Sequence, residues 1–144
     1  MARTILSVGA AVWLLAGAAG LALATLGTEW LLGVLPPLAI GADALARAVG
    51  AFSFGLLVIG AAHMVVLSGL RARARWSHSA AILLAGMLAA GLLTLAVSAL
   101  TGAADQPASA PGLIAAALTG GALAAAYALA TARLVAEMRT SRGV

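Results

Sequence analysis

From Ser79 to Thr101 the chain carries no charged residue, and apolar stretches of similar length run over 5–27, 41–70 and 113–135. At about 1.5 Å per helical residue, each can cross a hydrocarbon core of ~30 Å. Few other folds accept four such segments. The composition agrees: 64% of residues are hydrophobic and 8% charged, with mean hydropathy +1.13, whereas a soluble domain carries about a quarter charged residues. We therefore expect an all-α protein, a single transmembrane domain over residues 1–144. Its four helices, at about 5–27, 41–70, 79–101 and 113–135, form a transmembrane bundle. The first run is longer than the apolar core of a secretory signal, so it is read as a spanning helix rather than a cleaved leader.

Orientation comes from arginine. The segment Arg71-Ala72-Arg73-Ala74-Arg75-Trp76-Ser77-His78 places three of the eight basic residues between two apolar runs, as a tight turn at a membrane surface would. With Arg3, Arg133, Arg139 and Arg142 on the same side and only Arg47 opposite, the count is seven against one. By the positive-inside rule both termini are cytoplasmic. The net charge of +4 then faces anionic lipid rather than nucleic acid. Arg71, Arg73, Arg75 and Trp76, together with Trp30 on the other side, are the expected lipid-interface residues, since Trp favours the headgroup level.

Between the first two helices, residues 28–40 include Pro36-Pro37, which a regular helix interior excludes. The segment is too short to span, so a short interfacial or re-entrant form is expected. Residues 102–112, with Pro107, Pro111, Gly102 and Gly112, read as a loop. Helices in lipid associate through small residues and polar contacts. The sequence offers four-residue series of these, Gly86-Ala90-Thr94-Ser98-Gly102 in the third helix and Ala116-Gly120-Ala124-Ala128-Ala132 in the fourth. A seven-residue series (Ala48, Gly55, Ala62, Gly69) marks the second helix, and Ala16, Gly20 and Ala24 mark the first.

Residues capable of chemistry are scarce. There is no cysteine, hence no thiolate site. His63 lies within a span, where an ionisable side chain is a functional candidate. Counting along the helices puts Trp13, Met87 and Tyr127 at a similar depth, so His63, Tyr127, Trp13 and Met87 form the candidate ligand-binding layer. A structural His63–Tyr127 hydrogen bond is the plainer account of the same residues. His78 sits at the membrane edge, so the two histidines do not match in depth as haem ligation within one chain would require. No carboxylate or third nitrogen accompanies either for zinc, and no cofactor or metal is expected. Ser53, Ser68 and Ser98 have no nearby base, which leaves no catalytic residue to nominate.

Gly69-Leu70-Arg71, the basic turn, Trp76 and the new apolar span from Ala80 resemble a pattern common in small uncharacterised four-helix membrane proteins of bacteria. The resemblance covers about half the chain and implies an integral membrane protein with no assigned activity. The functional expectation is a non-enzymatic accessory or scaffold subunit of the bacterial inner membrane. Membrane lipids are its surroundings, and it self-associates or joins a larger complex. The alternative is a binder or carrier of a small hydrophobic or lipid ligand near His63 and Tyr127.

Overall fold

A computed structural model describes residues 1–27, 42–105 and 107–140. The re-entrant segment expected at 28–40, Trp30 and Arg142 lie outside these. Among the described residues the fold is all-α: α1 (Ala2–Leu26), α2 (Ala42–Arg71), α3 (Ser77–Asp105) and α4 (Ala110–Thr140), with a 3₁₀ turn at Pro107–Ser109. The helices contain 25, 30, 29 and 31 residues, or about 37–46 Å each. All four are long and apolar enough to cross a membrane, with mean hydropathies between 1.8 and 2.4.

The helices outrun the apolar stretches at most of their ends. Most of the expected 102–112 loop is helical, because Gly102-Ala103-Ala104 costs α3 little and neither proline opposes the fold. Pro107 opens the 3₁₀ turn, and Pro111 occupies the first turn of α4, where a missing N–H removes no intrahelical bond. Apolarity marks what lies in hydrocarbon, while the helix itself continues into the headgroup region of a bilayer ~40–45 Å thick.

The chain divides into two compact units, Ser7–Val65 and a second made of Met1–Leu6 with Val66–Val144. In the first, α1 and α2 pack antiparallel through very close approaches. A Cβ on Gly60 would lie 2.6 Å from the Leu14 side chain, one on Gly17 2.8 Å from Leu57, and one on Gly50 3.8 Å from Ala24; one on Gly20 would overlap the Ser53 hydroxyl. The α1 positions 14, 17, 20 and 24 face 60, 57, 53 and 50 of α2. Steps of three and four keep one face toward a neighbour along the length of a helix.

In the second unit α3 and α4 form an antiparallel hairpin. Gly120 lies against Ala96 and the Leu92 carbonyl, and Gly102 against Leu113. Its buried residues are mostly small: Ser77, Ala81, Ala85 and Ala96 on α3, and Ala117, Ala124, Tyr127, Ala130 and Leu134 on α4. The four-residue series named above follow the seam between α3 and α4 but only partly its buried core, since Gly120 and Gly102 make the contacts just given and Gly86, Ala90, Ala124 and Ala128 line a groove between the helices. Of the α4 series only Ala124 is buried, and Ala116, Ala128 and Ala132 are exposed; in α3, Ala90, Thr94 and Ser98 are exposed. The reason is angular. At ~100° per residue a step of four gains ~40°, so four steps carry the series ~160° around the helix.

Large apolar side chains point outward in both units. Leu15, Phe52 and Phe54 are exposed in the first, and Leu83, Leu95 and Leu118 in the second. Small residues inside and large ones outside invert the arrangement of a water-soluble protein and suit helices whose solvent is lipid.

Candidate functional site

His63 is fully buried at 0% exposure. Its Nδ1 lies 2.8 Å from the Ile59 carbonyl, one turn back on α2. A carbonyl only accepts, so Nδ1 carries the proton, which leaves Nε2 as an acceptor in the neutral ring. Among the described residues no buried side-chain nitrogen or oxygen lacks a hydrogen-bond partner. The histidine is thus a satisfied group, held in one orientation by its own helix.

The other members of the expected layer differ in exposure. Tyr127 is buried at 2% exposure in α4, within the second unit. Trp13 is half-buried on α1. Met87 is 74% exposed. It stands two residues, about 200°, from the buried Ala85, on the far face of α3. Depth along a helix says nothing of direction.

Hydroxyls follow the pattern of His63. Ser53 Oγ donates to the Val49 carbonyl at 2.6 Å, and Thr25, Thr94, Thr119 and Thr131 each donate to the carbonyl one turn back. These bonds satisfy the hydroxyl within its own helix, as expected in a medium without water. None of these hydroxyl protons is directed to a base. Among the described residues no group of three His, Cys, Asp or Glu side chains is placed to hold a metal.

The most specific geometry is at the basic turn. The N–H of Ala74 reaches back to the Gly69 carbonyl at 2.9 Å, and Ala72 N–H to Ser68 at 2.9 Å. The first is the six-to-one bond with which a helix closes in a Schellman motif. Such a motif needs one residue in the left-handed region, and here it is Arg73, with φ of 54°. Ser77 then starts α3, its N–H and Oγ both bonded to the Ala74 carbonyl, at 3.1 and 2.7 Å. A Cβ on Gly69 would lie 2.8 Å from the Trp76 ring, so glycine is what lets the indole fold over the end of α2. Arg71, Arg73 and Arg75 are all exposed, and Trp76 is 51% exposed.

Two parts of this architecture escaped the sequence reading. The Gly20–Ser53 contact had a signal, since Gly17, Gly20 and Ala24 recur at steps of three and four. The left-handed residue at 73 had none, because arginine there resembles any other member of a basic cluster. Comparisons with protein-family models, curated proteins and solved structures return no match.

Proposed function

We propose that this chain is a multi-pass protein of the bacterial cytoplasmic membrane, both termini in the cytoplasm, acting as a non-enzymatic accessory or scaffold subunit. One observation carries the reading: the histidine inside a span is fully buried, with its Nδ1 proton committed to the Ile59 carbonyl. A catalytic or relay histidine presents its remaining ring nitrogen to a substrate or proton path, whereas His63 is enclosed at 0% exposure, Nε2 included. His63 is used instead to fasten a helix interior. The placement of the arginines supports the orientation.

Native mass spectrometry of the full chain in mild detergent, with collisional removal of lipid, tests the function. His63→Asn keeps a donor near the Nδ1 position, and His63→Ala removes it. Under this reading the wild type and His63→Asn show the same oligomeric distribution with no stoichiometric adduct that depends on residue 63, and His63→Ala lowers only stability, by about 1–3 kcal/mol. A defined hydrophobic adduct that both substitutions abolish would replace the scaffold with the ligand binder near His63 and Tyr127. Because the natural chain lacks cysteine, single Ala74→Cys and Ala108→Cys variants report topology directly. Labelling of Ala74→Cys from the periplasm would overturn the orientation.

A further inference from the structure

The α3–α4 hairpin is electrically lopsided. The register that sets Gly120 against Ala96 brings Arg139 level with Ser77, since each lies nineteen residues further along its helix. One end of the hairpin therefore gathers Arg71, Arg73, Arg75 and Arg139, with Arg133 about 9 Å below, and every one is exposed. Glu137 is the acid at that end, and Asp105 stands at the other. A cluster of cations with one nearby acid among the described residues attracts diffuse anionic charge, and the Schellman motif with the Ser77–Ala74 bond after it fixes the backbone that carries three of them. At φ of 54° arginine meets the Cβ clash that glycine avoids. The fold therefore keeps a guanidinium where a bare backbone would be cheaper.

We propose that this end of the hairpin binds the headgroup of an anionic phospholipid, with Arg71, Arg73 and Arg75 around its phosphodiester and Trp76 beside it at the headgroup level. Trp76 is half in contact with Gly69 and half exposed, the disposition of an aromatic residue that packs on protein while facing an interface. The same hairpin offers room for the tail. A groove of about 440 Å³ runs between Gly86, Ala90 and Leu93 of α3 and Gly121, Ala125 and Ala128 of α4. It begins nine residues from Ser77, about 13 Å down the helix, within reach of an acyl chain in a leaflet of ~15 Å. The inference rests on the membrane reading above and not on the scaffold role.

The test uses the full chain in mixed micelles carrying phosphatidylglycerol or phosphatidylcholine at matched concentrations, followed by native mass spectrometry. Phosphatidylglycerol is expected to be retained as a single adduct at collision energies that strip phosphatidylcholine. Arg71→Gln/Arg73→Gln/Arg75→Gln weakens its retention on the order of a hundredfold, about fivefold per charge near the surface. Arg73→Gly weakens it about fivefold while leaving the turn intact, which separates binding from folding, and a His63→Ala chain retains it fully, which separates this site from the one tested above. Equal retention of the two lipids, an unchanged affinity in the triple variant, or equal uptake of soluble glycerol phosphate would each overturn the proposal. If the wild-type chain fails to fractionate with membranes at all, the membrane reading falls first.

Discussion

The α1–α2 pair and the α3–α4 hairpin use glycine differently. Between α1 and α2, Gly17, Gly20 and Gly60 sit where a single added carbon meets another helix. In the α3–α4 hairpin, Gly86, Gly91 and Gly121 have nothing within 4 Å of an added Cβ. There the one non-glycine residue in the left-handed region, among those described, is Arg73. The first pair is specified by backbone proximity, which tolerates no side chain at the crossing points. The hairpin is specified by a short, hydrogen-bonded turn and by alanines of ordinary spacing, which leave slack along its faces. Lipid contributes no hydrophobic force between helices, so these are two distinct routes to a stable helix pair.

The largest test of the contrast is at Gly17 and Gly20. A Cβ at Gly17 lies 2.8 Å from the Ser53 backbone carbonyl, an atom no rotamer change can move. Gly17→Ala should therefore cost about 2–3 kcal/mol, at the upper end for overpacking, and Leu57→Ala should not restore it. At Gly20 the obstacle is the Ser53 hydroxyl, a side-chain atom. Gly20→Ala should cost about 1–2 kcal/mol, and Ser53→Ala should recover about half, because Ser53 Cβ stays 3.0 Å away. Unfolding by denaturing detergent measures all five proteins. If Gly17→Ala and Gly20→Ala respond alike to their second substitutions, the helices re-space as rigid bodies and the contact map above is wrong.

The sequence revealed the four helices because a bilayer imposes a length and an apolarity that composition cannot disguise. It was less informative about their ends, since Ser77-His78 and Gly102–Asp105 are helical without being apolar. Facing was least legible. The series Ala116 to Ala132 reaches the buried core only at Ala124, and Met87 stands exposed, because spacing and depth carry no azimuth. An Ala-rich helix presents small residues on every side, so only a neighbour decides which stripe is used. His63 was legible as exceptional because it is a polar group in an apolar run, but its partner Ile59 is a backbone carbonyl, which any residue would supply. The contribution of Arg73 depends on a φ angle that arginine does not advertise.

The turn gives a test of intermediate size and opposite sign. Glycine adopts φ of 54° without the Cβ clash, so Arg73→Gly should relieve about 1–2 kcal/mol of local cost. It also gives up some of this to the greater freedom of glycine in the unfolded chain. A net gain of about 0.5–1 kcal/mol is expected in lipid-free detergent. Adding phosphatidylglycerol should shrink the gain, because the wild type then recovers binding energy through its guanidinium. A destabilised Arg73→Gly protein without lipid would mean that the arginine makes a structural contact outweighing the backbone, and the hairpin would no longer be a unit with slack.

The smallest effect lies at Gly91 and Gly121, and it separates the units most directly. Glycine within a helix costs roughly 0.5–1 kcal/mol relative to alanine because it forfeits more backbone freedom on folding. Where a Cβ meets nothing, Gly91→Ala and Gly121→Ala should each stabilise the chain by up to that amount, the reverse of Gly17→Ala. The two sites also differ from one another. Gly121 borders the groove proposed for an acyl chain and Gly91 does not line it, so lipid retention should fall with Gly121→Leu and be unchanged with Gly91→Leu. A loss of stability at both alanine variants would show that these positions are covered when the chain is in its membrane. The open faces of the hairpin would then be a contact with another protein surface, and the bound lipid would be confined to its headgroup at the arginine turn.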